Sequence, residues 1–192
     1  MTEGHDGGQT AQKVNPLDVL EGTIDHASIR RFRRGAFSSL TEIERLRDWV
    51  ESPMASGIKR GLALWALGRH ADALEELEAQ RDNPAIAVCL ARSYQTVGRS
   101  ADAVEVLADR TKDPVQAAAY LSAVERNADR DRFEAAHAEV HGVLSANDAL
   151  YFKGRLKEFQ GDTLGSIAAY DEALASDPSH PDALFRLALN VD

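Results

Sequence analysis

From Pro16 onward, short amphipathic stretches of roughly 12 to 16 residues alternate with brief polar breaks, a length and pattern typical of helices and not of strands. In one such stretch the apolar residues are Ile58, Leu62, Leu64, Trp65 and Leu67. Beyond Gly68, Ala73, Leu74 and Leu77 share one side of the next stretch, and Glu75, Glu76 and Glu78 fall largely outside it. The same unit returns as AIAVCLARSYQTVG followed by RSADAVEVLADR. Neither stretch of a pair can cover its apolar face alone, so the pattern predicts helices that pair and stack.

The breaks are periodic. Gly35, Gly68, Gly98 and Gly161 recur with one gap, which Asp131 fills, giving intervals of 33, 30, 33 and 30 residues. Each glycine is expected between two helices, where a left-handed residue ends one and turns into the next. Prolines keep step. Ser52-Pro53, Asn83-Pro84 and Asp113-Pro114 each place a capping side chain before a proline suited to the first helical position. Two independent markers thus agree on a period in the low thirties, which predicts a run of two-helix repeats.

Particular residues within that period resemble the tetratricopeptide repeat, a helix-turn-helix element of about 34 residues. Gly61, Ala91 and Gly154 match the small position of its first helix, and Ala73, Ala103 and Ala136 that of its second. Leu77, Leu107, Val140 and Tyr170 match the large apolar position of the second helix. The unit ending at Pro178 matches at the most positions, with Gly154, Gly161, Tyr170 and Ala173. The resemblance implies an all-α fold, a right-handed α-solenoid of stacked antiparallel helix pairs. It implies a degenerate capping pair over 15–52 and repeats over 53–178, while residues 1–14, which mix Gly, Gln, Thr and charge without periodicity, read as a flexible tail. Residues 179–192 then begin a further, incomplete repeat. The unit over 114–146 lacks a turn glycine and reads as degenerate but helical.

The resemblance also implies where a partner sits, because the first helix of each pair lines the concave groove of such a solenoid. The matching positions are Ile58, Leu62 and Trp65, then Val88, Arg92 and Gln95, then Leu121 and Glu125. Tyr151, Arg155 and Glu158 follow, with Phe185 from the last helix. An apolar floor carrying Arg92 and Arg155 suits a peptide with one or two acidic groups, since arginine grips carboxylates bidentately. The lysine- and asparagine-rich clamp of the chaperone-tail type of groove is missing at these positions, so that ligand is not expected.

Composition narrows the picture further. A formal charge of −9 and a pI near 5.1 argue against a nucleic-acid partner, whose binding rests on phosphate neutralisation. Arg30, Arg31, Arg33 and Arg34 form a basic patch around Phe32, read either as a contact for an acidic partner, a membrane surface or nucleic acid, or as a solvated helix face. No apolar run approaches the roughly 20 residues that cross a bilayer, and no secretory leader pattern opens the chain. Cys89 stands alone between Val88 and Leu90, which suits a buried, inert thiol in a reducing, cytoplasmic compartment. His137 and His141 lie one helical turn apart behind Glu134, but a third ligand is not evident, so no metal or cofactor is expected. No nucleophile elbow, P-loop or dinucleotide glycine pattern is present either.

The expectation is therefore a non-catalytic interaction scaffold that binds a partner peptide or protein in its groove. Two alternatives remain open. Residues 181–192 carry Leu184, Leu187 and Leu189 on an unpaired helix, which another copy of the chain would cover. The chain would otherwise be the helical regulatory part of a longer enzyme.

Overall fold

The computed structural model describes residues 15–126 and 130–190, and all their regular structure is helical. The segment read as a tail, 1–14, and the last two residues lie outside the described residues. After a 3-10 turn at Pro16–Leu20 come α1 (His26–Ala36), α2 (Leu40–Val50), α3 (Gly57–Ala66) and α4 (His70–Leu77). They are followed by α5 (Ala87–Thr96), α6 (Ser100–Ala108), α7 (Pro114–Glu125) and α8 (Arg130–Val140). The run ends with α9 (Ala146–Phe159), α10 (Thr163–Ser176) and α11 (Pro181–Asn190). Helices pack in pairs, α3 with α4, α5 with α6, α7 with α8 and α9 with α10, and α11 lies against α10. Successive pairs meet where one ends and the next begins, α4 on α5, α6 on α7 and α8 on α9, and α1 also meets α3, α3 meets α5 and α5 meets α7.

Three of the ladder glycines make the turns. Gly68, Gly98 and Gly161 have φ of 78°, 82° and 78°, where any side chain would be strained. Each is followed by the long-range bond that closes a helix end. Arg69 N–H donates to Leu64 O at 2.9 Å, Arg99 N–H to Tyr94 O at 2.8 Å, and Asp162 N–H to Lys157 O at 2.9 Å. Gly35 differs: it sits inside α1, packed so closely on Pro16 that an added Cβ would lie 3.3 Å from its ring. Asp131 is likewise no turn residue but belongs to the first turn of α8. Among the prolines, Asp113 caps α7 and Asn83 caps the 3-10 turn Pro84–Ile86 that runs into α5. Ser52-Pro53 caps nothing, because α3 starts four residues later behind Ser56.

A device the periodicity did not expose joins successive pairs. The arginine after the turn glycine reaches forward to its own helix and backward to the previous pair. Arg99 donates to Asp102 and to Glu78, each at 2.7 Å, and its guanidinium lies 4.6 Å over the Tyr94 ring. Arg69 does the same with Asp72 and Glu51. These pairs are exposed, so each contributes no more than about 1 kcal/mol.

The core forms where small residues admit large ones. A Cβ on Gly61 would lie 2.6 Å from the Leu77 side chain, and one on Gly154 would clash with the edge of the Tyr170 ring. Leu77 and Tyr170 are both fully buried by that approach. Around α8, Phe133 stacks on Phe159 with centroids 4.9 Å apart. At the other end of the chain, α1 extends across to α7, with His26 Nε2 3.2 Å from Gln116 Nε2. No helix among the described residues is long and apolar enough to cross a membrane.

Candidate functional site

The odd-numbered helices enclose one side of a continuous open cavity of about 1110 Å³. Its wall follows the helical period. On α5 it takes Val88, Ala91, Arg92 and Gln95, and on α7 Val115, Ala118, Ser122 and Glu125. On α9 it takes Asp148, Tyr151, Arg155 and Phe159, and on α11 Asp182, Phe185 and Arg186. Trp65 closes the α3 end, with Arg33 of α1 stacked 5.5 Å over its ring.

Eight of the residues assigned to the groove from sequence therefore stand on one wall: Trp65, Val88, Arg92, Gln95, Glu125, Tyr151, Arg155 and Phe185. Four do not. Leu62 and Leu121 are fully buried core residues. Leu121 follows Tyr120 and precedes the wall residue Ser122, and the 100° step per residue turns it inward. On α3 the packing of α1 makes Leu62 part of a shared core. Ile58 is half-buried against that core and off the wall. Glu158 is also off the wall, held in the ion cluster beneath it. From the basic patch, Arg33 reaches the wall, while Arg30, Arg31 and Arg34 are exposed elsewhere on α1.

The two groove arginines turn out to be different in kind. Arg155, with a side chain only 8% exposed, is consumed by the protein's own carboxylates. Its Nε and Nη2 each lie 2.7 Å from Glu125 Oε1, and its Nη1 pairs with Glu158. Arg186 joins the same cluster from α11, donating to Glu125 Oε1 at 3.0 Å, and Asn190 donates to Glu158 Oε1 at 2.9 Å. The four charges cancel, and the cluster ties α7, α9 and α11 together. Arg92, by contrast, is exposed and has no ion pair among the described residues. Arg33 and Arg126 share that state, and all three border the cavity.

Burial governs the remaining groups on the wall. His70, with Nδ1 3.1 Å from Ser93 Oγ, is pushed below the ordinary imidazole range by burial and then by the Arg92 charge. Burial raises the Tyr151 hydroxyl to about 12, helped by Glu125 and Asp182, so it stays protonated. Its ring stacks on His180 with centroids 5.2 Å apart. Trp65 is buried, 8% exposed, and its Nε1 has no hydrogen-bond partner among the described residues. Behind the wall, burial lifts the Cys89 thiol to about 12, which keeps it a thiol. His137 and His141 stack at 6.0 Å, and no group of three metal-ligating side chains occurs among the described residues.

Sequence reasoning missed His70, Arg126, Arg186 and the groove position of Arg33. Arg126 was legible in principle, four residues beyond Ser122 on the same face of α7. Arg33 was not, because its place depends on how α1 crosses α3. The chain matches no protein-family model, no curated protein and no solved structure.

Proposed function

We propose that the helix pairs form a right-handed solenoid of the tetratricopeptide type, and that the chain is a non-catalytic interaction scaffold whose groove takes a segment of a partner protein. One observation carries this reading. One open cavity is lined at helical spacing by α3, α5, α7, α9 and α11 in turn. A wall shared by five helices suits an extended or helical segment better than a small molecule, which pockets usually enclose. Its apolar positions, Trp65, Val88, Tyr151 and Phe185, offer anchors for side chains. The unpaired Arg33, Arg92 and Arg126 favour a segment carrying carboxylates. The Arg155 cluster fixes the wall before the partner arrives, which reduces the ordering cost of binding. A reducing, cytoplasmic setting suits the single buried thiol.

Display selection of random 15-residue peptides on the intact chain tests the reading. Selected sequences should combine Asp or Glu with large apolar residues and lose binding to Arg92→Ala/Arg126→Ala. Selection of basic sequences, or binding indifferent to those substitutions, would remove the groove assignment.

A further inference from the structure

Outside the groove, the two ends of the chain expose faces that have no cover among the described residues. On α11 the residues Pro181, Leu184, Phe185, Ala188 and Leu189 fall within one arc of the helix, and no charged side chain interrupts it. Leu184 is 48% exposed and Leu189 58%, high values for leucines on a helix that packs elsewhere through Ala183. The surroundings are acidic. Asp171, Asp177 and Asp182 have no ion pair among the described residues, whereas Asp162 pairs with Lys157 and Glu172 with Lys153. Arg186 itself is turned into the Glu125 and Glu158 cluster and does not offset that field.

The α1–α2 elbow has the opposite character. Arg30, Arg31 and Arg34 are exposed with no ion pair among the described residues. Next to them the turn presents Phe37 at 46% and Leu40 at 78% exposure. An apolar pair beside three arginines that form no ion pair among the described residues is an awkward surface to leave in water, and so is an apolar helix arc in an acidic field. Each supplies what the other lacks.

We infer that the chain self-associates head to tail, the α11 arc of one copy docking on the α1–α2 elbow of the next. Apolar contact supplies the core of the interface, and the arginines of one copy meet the acidic end of the other. Each copy engages two different neighbours through its two faces, so the contact is heterologous and does not close at two copies. Its products are short linear oligomers whose length rises with concentration. The groove stays outside this contact, apart from Phe185 at its rim.

Sedimentation velocity and light scattering on the 192-residue chain, from 5 to 500 μM, test the inference. The weight-average mass should rise above the 20.9 kDa monomer and continue past twice that value. Raising NaCl from 50 to 500 mM should lower it at fixed concentration. Arg30→Glu/Arg31→Glu/Arg34→Glu removes one face and Leu184→Glu/Leu189→Glu the other. All five positions are exposed, and unchanged circular dichroism confirms folding. The milder Arg30→Gln/Arg31→Gln/Arg34→Gln serves if the reversal disturbs α1. Each variant alone should remain monomeric, and an equimolar mixture should stop at twice the monomer mass, since one intact face of each kind remains. A wild-type chain that stays monomeric to 500 μM overturns the inference, and the faces then belong to another molecule. So does association that survives either variant, or a mixture that fails to re-associate, which marks a self-complementary dimer.

Discussion

Replacing Arg155 with alanine separates its structural role from a ligand-binding one. The substitution leaves Glu125 and Glu158 facing each other with Arg186 alone between them. Breaking a buried ion pair typically costs about 3–5 kcal/mol, because the surviving charge is desolvated and uncompensated. Here Arg186 remains 3.0 Å from Glu125, and its side chain is 26% exposed, which places the cost near the lower end, about 3 kcal/mol. Loss of the guanidinium lying 5.4 Å over Phe159 adds roughly 0.5 kcal/mol. Against a total stability of about 5–15 kcal/mol the change is large. Urea unfolding followed at 222 nm should show a clear drop in midpoint, with the α9–α11 region melting first if the stack unfolds in parts. Adding Glu125→Gln to Arg155→Ala should recover part of the loss, because it removes the stranded charge. Arg92→Ala, on an exposed and unpaired side chain, should change stability by less than about 0.5 kcal/mol. An Arg155→Ala chain as stable as wild type would refute the reasoning and return Arg155 to the pool of available groove cations.

Other consequences follow from the same geometry. Gly154→Ala and Gly61→Ala force a methyl into Tyr170 and Leu77 and should each cost about 1–3 kcal/mol in urea unfolding; neutrality at both sites would contradict the close crossing of α9 on α10 and α3 on α4. Cys89 should resist a thiol reagent such as DTNB in the native chain at pH 8 and react on unfolding in urea, whereas rapid native labelling would show that α5 is not buried as described. His70 and His137 both have lowered pKa values, mainly through burial, so the unfolded chain binds their protons more readily than the folded one. Their contribution is complete above the ordinary value of 6.5 and is lost as pH falls below it, so the urea midpoint should drop between pH 7.5 and 5.5 and flatten in His70→Gln/His137→Gln; a midpoint that rises over that interval would reverse the sign.

The helices were legible because their chemistry is local. Amphipathic period, capping side chains before proline and the glycines at Gly68, Gly98 and Gly161 each act within a few residues, and a single sequence records them directly. Gly35 and Ser52-Pro53 kept the same period for other reasons: one fits α1 against Pro16, and the other lies in the bend after α2. The groove was legible wherever helix phase alone decides exposure, as for Val88, Arg92 and Gln95 on α5. It failed at Leu62, where the placement of α1 on α3 intervenes, and at Arg155, whose availability depends on Glu125 thirty residues away and on Arg186 beyond it. Ion clusters of that kind leave no periodic trace, since the partners come from different helices. The same holds for Arg33, which reaches the groove only through tertiary packing.

Amide chemical-shift mapping tests the central claim most directly. A display-selected peptide titrated into the isotope-labelled chain should shift Gln95, Ala118, Ser122 and Phe185, on α5, α7 and α11, and leave α6, α10 and the part of α4 beyond His70 still. Its affinity should fall at least tenfold in Arg92→Ala, about 1.4 kcal/mol, with the melting temperature unchanged. Shifts concentrated on the even-numbered helices, or an affinity untouched by Arg92→Ala, would contradict a binding groove on this wall.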